Sequence, residues 1–439
     1  MEQIQNNRVI TDLYRENAQF PGIALDGSDV YLCWQRFVDR HDSLMASCRR
    51  GDEVVWEREI SDGGEVLHPV ILAHGGAIWY AWSEYARENW RILARCYRDG
   101  RWGEVLTVAS GEALFFPRLF TWQGRLHVIW TEQHKGSAAA VLCPLTEAGP
   151  GAAETVSAVG EAYRAGAAEG GDGNLYVAYD GFDGKQYKLF ARARTAAGWS
   201  EEIVVSQGED WASTPWIAAK PDGAVVGWYD YGYMAVYSVR SADLTVRDGA
   251  LAAVNPQCLK EGVDWYLDLH VASNSSGLQA MAYTRSKYDV LVCTRRGSEP
   301  WSRPVLMSYG DGHCGVHPKL LVDEDDTIHL MWQFGFKNGH MERKAQVIYN
   351  HLTPAELAQQ PDYVAPPSDF TQPIPANADK RLATSTARAA CPTAWARWTS
   401  TITGPGTRPV WTSPPSPTTT ATPTGRPSPS GSCCAPTAA

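Results

Sequence analysis

The sequence predicts an all-β fold, a seven-bladed β-propeller built from four-stranded antiparallel blades. The first observation is an apolar run that ends in an aromatic residue and returns seven times, at Trp34, Trp82, Trp130, Tyr179, Trp228, Tyr283 and Trp332. The spacings between these aromatics are 48, 48, 49, 49, 55 and 49 residues. A fixed period in this range is typical of propellers and solenoids. The second observation is that each repeat contains four short strand-like runs separated by turns, which is the content of one blade.

The first two strands of each repeat form a predicted hairpin. In five repeats strand A opens with a proline, thirteen residues before the aromatic or fourteen in the last case, at Pro21, Pro69, Pro117, Pro215 and Pro318. Gly166 and His270 take this place in the fourth and sixth repeats. A turn rich in Gly, Asp or Asn follows, as at 171–174, because these residues tolerate positive φ or bond their own backbone. Strand B is the run that ends in the aromatic, and its β-branched and aromatic residues favour a strand over a helix.

Strands C and D complete each repeat. A third run follows strand B, and a second turn then ends in another tryptophan before the fourth run, at Trp56, Trp102, Trp199 and Trp301. The last repeat, residues 317–352, supplies three strands at most, whereas residues 7–15 form a strand-like run that precedes the first repeat. We therefore predict that the N-terminal strand completes the seventh blade, since this pairs edges that would otherwise stay open. The expected role of the repeat aromatics is wedge packing between blades.

Residues 7–352 are thus assigned to the propeller, and residues 353–378 to a C-terminal extension with one helical turn capped by Thr353. The remaining segment, 379–439, has no Asp or Glu after Asp379 and is dominated by Pro, Thr, Ser and Ala. Such a composition cannot bury enough apolar surface to fold, so we predict a disordered tail. It is either a Pro/Thr-rich linker or the product of a frameshifted reading of a GC-rich gene, and neither carries function.

Charge and cysteine content restrict the partners and the compartment. The chain has 39 Lys and Arg against 49 Asp and Glu, and six of the basic residues follow Asp379, which leaves residues 1–379 with a net charge of −16. Such a surface repels nucleic acid and anionic membranes, so we expect neither as a partner. The N-terminus has no apolar signal core and no apolar run reaches membrane-spanning length, so we expect a cytoplasmic monomer, or a secreted one if the start is mis-assigned. Cysteines recur at equivalent strand positions in successive repeats, too far apart for disulfides, so free thiols are expected.

Topology selects the surface where a ligand would bind. In each blade the D–A connection and the B–C loop open on the same face, and these loops converge around the mouth of the central channel. Two residues beyond the seven aromatics, at that face, stand Arg36, Glu84, Glu132, Gly181 (beside Asp180), Asp230, Arg285 and Phe334. Carboxylates that lie close together raise one another's pKa, so Glu84, Glu132 and Asp230 are candidate catalytic acids and bases. Arg36 and Arg285 would hold a substrate carboxylate or hydroxyl groups.

The entrances to strand A add further candidates. His68 and His317, each before a proline, are candidate catalytic residues, and Arg118 is a candidate substrate ligand. The D–A connections contribute His313 and four candidate substrate-binding residues, Trp211, Asp264, Trp265 and Tyr266. Exposed Trp and Tyr rings offer flat apolar faces to the C–H face of a sugar ring. The set as a whole would suit a glycoside.

Each candidate also has a structural explanation. A charged residue where a strand leaves a sheet is usually only solvated, and a histidine before a proline is more often structural than catalytic. Residues 311–317 contain a His-Cys-x-x-His pattern, but this pattern without a second cluster is weak, and we predict no metal and no cofactor. Trp211, Trp265 and Tyr266 are the stronger candidates, because aromatics in loops outside the repeat positions lack a packing role.

A family resemblance follows from particular repeats. Residues 214–230 resemble a blade of the sialidase-like, BNR-repeat propellers, and the turn at 98–102 and the turn before Trp199 are similar to a degraded Asp-box. The resemblance covers residues 7 to about 352, and it implies a glycosidase, a polysaccharide lyase or a lectin that works at the channel mouth. No repeat keeps the Asp-box serine with its aspartate, no Arg-Ile-Pro motif occurs, and true sialidases have six blades. Sialidase activity is therefore not implied.

Three classes of function remain open. The first is a carbohydrate-active enzyme with one asymmetric site at the channel mouth, either a glycoside hydrolase that uses the three carboxylates or a polysaccharide lyase that pairs His68 or His317 with Tyr266. The second is a non-catalytic, lectin-like propeller, although a multivalent lectin would repeat its ligand residues and here they vary between repeats. The third is a cytoplasmic protein-interaction scaffold. Propellers host all three classes, and among partners we expect a glycan or another sugar-containing ligand.

Overall fold

A computed structural model describes residues 7–12, 16–61, 63–208, 210–231, 237–263, 268–285, 289–308, 314–335 and 345–363. Within these residues the strands form seven antiparallel sheets of four or five strands, and one short helix follows the last strand. The predicted seven-bladed β-propeller is confirmed. The predicted tail, 379–439, lies outside the described residues.

The blades follow one another along the chain, and within each one strand A is innermost. The N-terminal strand β1 is Arg8–Val9. Blade 1 contains β2 (Asn17–Asp26), β3 (Asp29–Val38), β4 (His41–Arg50) and β5 (Glu53–Glu59). Blade 2 contains β6 (Glu65–His74), β7 (Ala77–Ala86), β8 (Asn89–Arg98), β9 (Arg101–Trp102) and β10 (Leu106–Gly111). Blade 3 contains β11 (Ala113–Trp122), β12 (Arg125–His134), β13 (Ser137–Thr146), β14 (Gly149–Pro150) and β15 (Glu154–Thr155).

The remaining four blades repeat this plan. Blade 4 contains β16 (Ala162–Glu169), β17 (Leu175–Phe182), β18 (Tyr187–Thr195), β19 (Gly198–Trp199) and β20 (Ile203–Val204). Blade 5 contains β21 (Trp211–Lys220), β22 (Gly223–Tyr231), β23 (Tyr237–Arg247) and β24 (Ala250–Val263). Blade 6 contains β25 (Leu269–Ser273), β26 (Leu278–Arg285), β27 (Asp289–Arg296) and β28 (Val305–Leu306). Blade 7 contains β29 (Cys314–Val322), β30 (Ile328–Gly335) and β31 (Ala345–Leu352).

The N-terminal strand closes the ring, as predicted. Strand β1 pairs antiparallel with β31, with Arg8 opposite Tyr349 and Val9 opposite Ile348. Beyond the strand, the Ile10 amide donates to the Val347 carbonyl at 2.8 Å, and the Val347 amide donates to the Thr11 hydroxyl at 3.0 Å. Strand β2 of blade 1 also contacts β29 of blade 7. The outer edge of the last blade is therefore covered by the first residues of the chain, which removes an open sheet edge.

The seven repeat aromatics pack between blades. All seven are buried, and each belongs to an apolar cluster shared with the preceding blade. Trp34 of blade 1, for example, lies with Met331 and Val347 of blade 7. Their predicted role as wedges is confirmed, and truncation of such a ring to alanine would cost about 3–5 kcal/mol.

A second set of tryptophans, at the turns before strand D, is held by arginines of strand C. Arg95 lies 5.3 Å from the Trp102 ring, and it donates to the carbonyls of Gly103 at 2.8 Å and Ile60 at 3.1 Å. Arg192 repeats these contacts with Trp199 two blades later. One guanidinium thus ties its own turn to the connection from the preceding blade, through a cation–π contact and two hydrogen bonds.

The thiols and the C-terminal segment also match expectation. Cys33, Cys48, Cys96, Cys143, Cys258 and Cys293 are free. Helix α1 (Pro354–Gln359) begins at Thr353, whose side chain accepts from the Glu356 amide in a capping box. Leu357 is buried between blades 6 and 7, and Tyr363 packs on the cluster between blades 5 and 6. Within the described residues no helix is long and apolar enough to cross a lipid bilayer.

Candidate active site in the central channel

Strand A of six blades carries a β-bulge beside the channel. The pairing of strand A with strand B shifts register between Gln19 and Gly22 in blade 1, and at the equivalent place in blades 2, 3, 4, 5 and 7. The residue inside each bulge has a positive φ, between 45° and 55°, in Phe20, His68, Phe116, Arg164, Thr214 and His317. Asp268 holds the equivalent place in blade 6, directly before β25. Because a bulge re-aims side chains, it turns this position away from the regular alternation of the strand.

Two rings of residues follow from this geometry. We call the seven residues at the bulge the upper ring: Phe20, His68, Phe116, Arg164, Thr214, Asp268 and His317. The lower ring lies two residues further along each strand A: Gly22, Val70, Arg118, Gly166, Trp216, His270 and Lys319. Strand A runs inward from the mouth, so the upper ring is nearer to the mouth. Several side chains of the two rings contact blades that are not adjacent in the ring, which is possible only across the channel.

The predicted histidines lie together in the upper ring. The Phe20 ring packs against both, with its centroid 5.9 Å from that of His68 and 4.5 Å from that of His317. His68 also contacts Phe116, at 4.3 Å. Blades 7, 1, 2 and 3 thus meet through four rings at the axis, and the structure brings two of the predicted catalytic residues into one aromatic cluster.

The opposite side of the channel is charged. Arg118 extends from blade 3 to blade 5, where its Nη1 donates to the Pro215 carbonyl at 2.9 Å and its guanidinium lies 3.7 Å from the Trp216 ring centroid. It crosses Gly166, where a Cβ atom would come within 2.6 Å of Nη1. Because Gly166 has no side chain, there is room for the guanidinium of Arg118, the residue predicted to bind the substrate.

Lys319 and Asp268 complete the charged side. Lys319 Nζ lies 4.3 Å from the Trp216 ring centroid and donates to Asp268 Oδ2 at 2.8 Å. The His317 Nδ1 atom is 3.9 Å from the same carboxylate oxygen. His270 packs on Trp216 at 4.0 Å. One indole thus contacts two cations, and the Asp268 carboxylate lies beside both Lys319 and His317.

Burial and neighbouring charges set the ionisation of these groups. Burial, followed by the charges of His317 and Lys319, lowers the pKa of His68 to about 3, and burial holds the pKa of His270 well below its usual range. Burial lowers the pKa of Arg118 to about 10. Burial alone would raise the pKa of Asp268, but Lys319 and His317 outweigh it and hold that pKa well below its usual range. At neutral pH the site therefore combines neutral imidazoles with an ionised carboxylate and a guanidinium cation.

Two buried polar atoms of the upper ring have no hydrogen-bond partner among the described residues. They are His68 Nδ1 and Thr214 Oγ1. An unsatisfied buried polar atom costs about 1–3 kcal/mol, so atoms of this kind require a water or a ligand group. Both atoms are themselves buried, although the residues that carry them are half-buried.

The residues two positions beyond the repeat aromatics lie elsewhere. They share the strand face of the aromatics and therefore lie toward the gap between blades. Glu84 is fully buried, accepts from the Trp82 indole at 3.3 Å and pairs with Arg91. Asp230 accepts from the Trp228 indole at 2.6 Å and from Arg240 at 3.1 Å. Burial, partly offset by these partners, raises the pKa of Asp230 to about 6.

The three predicted carboxylates occupy three different gaps between blades. Glu84 lies on the face toward blade 1, Glu132 on the face toward blade 2 and Asp230 on the face toward blade 4. The expectation that these positions form one ring around the opening is therefore wrong, because their side chains follow the aromatics into the packed faces. Arg36 bonds Ser43 and Glu59, and the buried Arg285 donates to the Tyr363 hydroxyl at 2.7 Å. A catalytic role for the three carboxylates and a substrate-binding role for Arg36 and Arg285 stay predictions.

The predicted loop aromatics have different outcomes. Trp211 is the first residue of β21 and is buried against Tyr187, so the expectation that it lacks a packing role is wrong. Asp264, Trp265, Tyr266 and His313 lie outside the described residues. The sequence reasoning missed Asp268, Lys319, Trp216 and His270. The position directly after each strand A proline would have found two of them, Trp216 and Lys319, whereas the repeat of Asp268 and His270 has no such proline.

The comparisons with known proteins concern the fold. No protein-family model and no curated protein match the chain. Among solved structures, the PL25 ulvan lyase bound to -[GlcA(1-4)Rha3S]- gives a TM-score of 0.53 at 10% identity, covering 80% of this chain and 99% of that chain. The polysaccharide lyase Uly1 gives 0.52 at 11%, covering 76% and 89%. A puromycin-hydrolyzing peptidase of Mycobacterium tuberculosis gives 0.52 at 14%, covering 80% of this chain and 55% of that chain.

At these identities the likeness shows the fold alone. Through the two polysaccharide lyases, the predicted resemblance to the broad sialidase-like group of propellers is confirmed as a resemblance of fold. Lyases and a peptidase share the architecture, so the choice of chemistry rests on the residues of the channel.

Proposed function

We propose that the protein is a carbohydrate-active enzyme whose site is the central channel and whose substrate is an acidic polysaccharide cleaved by β-elimination. The observation that carries this proposal is an excess of positive charge in the channel of an acidic chain. Arg164 is matched by Asp180 and Lys319 by Asp268, whereas Arg118 donates to the Pro215 carbonyl and makes no ion pair among the described residues. A carboxylate or sulfate of a sugar would supply the missing negative charge.

β-Elimination on a uronate makes three demands on the site. The sugar carboxylate must be neutralised, the proton on the carbon next to it must be removed, and the oxygen of the leaving sugar must gain a proton. One C–H and one C–O bond break and one C=C bond forms, so no water or oxidant is consumed. These are the tasks of a cation and of general acid–base groups.

The channel residues fit these demands. Arg118 and Lys319 are the cations that would neutralise the carboxylate. His68 is neutral, and its Nδ1 has no hydrogen-bond partner within the described part of the chain, so it is the candidate proton acceptor; a carboxylate bound beside it would raise its lowered pKa. His317, held near Asp268, is the second imidazole and would return a proton to the leaving oxygen. The fold similarity to two polysaccharide lyases supports the same class.

A glycoside hydrolase is the second candidate, and one observation favours it. The pKa of Asp230, raised to about 6, suits a general acid. Glycosidase carboxyl groups, however, lie within roughly 10 Å of each other, whereas Asp230 and Glu84 occupy separate gaps and are each held by an arginine. The channel therefore supports elimination better than hydrolysis.

The test is an activity screen on ulvan, alginate and polygalacturonate. We expect an unsaturated product, detected by its ultraviolet absorbance, from at least one of them. Arg118→Met and Lys319→Met should lower kcat/KM at least tenfold, whereas the control Arg101→Met, at an exposed position of blade 2, should not change it. New reducing ends without absorbance would indicate hydrolysis, and binding without product would indicate a lectin. The absence of both binding and cleavage would overturn the carbohydrate proposal.

A further inference from the structure

A continuous group of aromatic rings lies at the mouth beside blades 4 and 5. We call Phe182, Tyr187, Trp211, Tyr231 and Tyr237 the aromatic platform. Neighbouring ring centroids in this order are 5.3, 5.7, 6.4 and 4.7 Å apart. Rings at these separations are in contact and support one another.

The platform is built from strand ends on the mouth face. Phe182 ends β17 and Tyr187 begins β18, while Tyr231 ends β22 and Tyr237 begins β23. Tyr187 and Trp211 are buried, whereas the other three are half-buried. Two buried rings therefore fix three rings that keep part of their apolar surface in water. Phe182 and Tyr231 also pack on the apolar cluster of Ala138, Tyr163, Tyr187 and Trp211, and the ring surface that stays in water is the part open to a ligand.

The platform continues into the channel along strand A of both blades. Trp211 lies three residues before Thr214 on β21, which is about 10 Å along a strand. In blade 4, Tyr163 contacts Tyr187 at 6.2 Å and directly precedes Arg164 of the upper ring. Thr214, whose hydroxyl has no hydrogen-bond partner among the described residues, thus stands between the aromatic rings and the channel cations.

We propose that the aromatic platform is a second sugar-binding subsite, so that the ligand is an oligosaccharide or polysaccharide that extends from the channel over blades 4 and 5. This inference rests on the proposed carbohydrate function. The apolar C–H face of a pyranose would lie on the half-buried rings of Phe182, Tyr231 and Tyr237, while an acidic sugar of the same chain occupies the channel. A ligand of one sugar unit would fill the channel and leave the platform empty.

Binding measured against chain length tests this subsite. The probes are free glucuronate, which can occupy only the channel, and GlcA(1-4)Rha3S oligosaccharides of one and four repeats. Calorimetric titration of the wild-type chain should show affinity that rises with length. Tyr231→Ala and Phe182→Ala should each weaken the four-repeat probe about five- to tenfold, since each removes apolar contact area, and should leave glucuronate affinity unchanged. Tyr231→Phe, which keeps the ring, should bind like the wild type.

Tyr85→Ala is the matched control. Tyr85 lies three residues after its repeat aromatic, as Tyr231 does, but it packs on Trp90 in blade 2. It should bind all probes like the wild type, and thermal denaturation verifies that each variant is folded. Glucuronate binding without any gain for longer chains would overturn the platform and leave the channel proposal standing. A wild-type chain that binds none of the probes and no polymer of the activity screen overturns both.

Discussion

The charges between the blades and the charges in the channel are arranged differently. In the gaps between blades Glu84 pairs with Arg91 and Asp230 pairs with Arg240, one cation for each carboxylate. In the channel Lys319 pairs with Asp268, whereas Arg118 donates to the Pro215 carbonyl and makes no ion pair among the described residues. The comparison teaches that matched charges serve the fold, whereas unmatched charges indicate a ligand.

Arg164 gives the largest expected effect. It belongs to the upper ring of the channel, but it has a carboxylate of its own, that of Asp180. Its Nε donates to Asp180 Oδ1 at 2.9 Å, its Nη2 bonds the second oxygen, and Asp180 is fully buried. Asp180→Ala should lower the free energy of unfolding by about 3–5 kcal/mol, because it leaves a buried guanidinium without its partner. Urea denaturation measures the loss. The double variant Arg164→Met/Asp180→Leu should recover most of it, and failure to recover would show that the pair is more than a matched charge.

The Asp230 carboxyl is paired with Arg240, and its role can be tested through the pH dependence of the free energy of unfolding. Its pKa in the folded chain is raised to about 6, mainly by burial, so the folded state binds a proton more tightly than the unfolded state. The stabilisation from this group is present at low pH and is lost as the pH rises through about 6, by up to about 3 kcal/mol. Asp230→Asn should remove this loss between pH 4 and 7. Equal pH profiles for the two proteins would contradict the assignment.

Gly166→Ala tests the role of Arg118 in ligand binding without removing a charge from the channel. The added Cβ would come within 2.6 Å of Arg118 Nη1 and should displace the guanidinium. We expect acidic-oligosaccharide affinity to fall about fivefold, which corresponds to about 1 kcal/mol. Gly111→Ala is the control, since its Cβ would meet Leu114 at an ordinary 3.5 Å. Unchanged affinity in the Gly166 variant would argue that Arg118 does not contact the ligand.

Thr214→Val gives the smallest expected effect. The hydroxyl has no partner among the described residues, so its replacement by a methyl group should change the free energy of unfolding by less than about 0.5 kcal/mol. Ligand affinity should fall two- to threefold if the hydroxyl bonds the sugar. A clear loss of stability would instead show that the Thr214 hydroxyl forms a hydrogen bond that stabilises the fold.

The repeat made the fold predictable, because its aromatics, turns and prolines are local patterns. His68, His317 and Arg118 were found for the same reason, since they flank prolines. The carboxylate ring was misplaced because position along the chain was read without side-chain direction. Glu84 and Asp230 share the face of Trp82 and Trp228, which is the packed face. Asp268 and His270 were missed because their repeat lacks the proline. Trp216 and Lys319 directly follow prolines, so the proline pattern alone did not single them out.

The six bulges with φ between 45° and 55° hold side chains as different as Phe, His, Arg and Thr in a backbone conformation that favours glycine. Each non-glycine residue there costs about 1–2 kcal/mol, so the backbone does not require those side chains. The side chain at each bulge position of the upper ring can therefore be exchanged independently of the fold. New chemistry could be installed one blade at a time, with no change in the path of the chain.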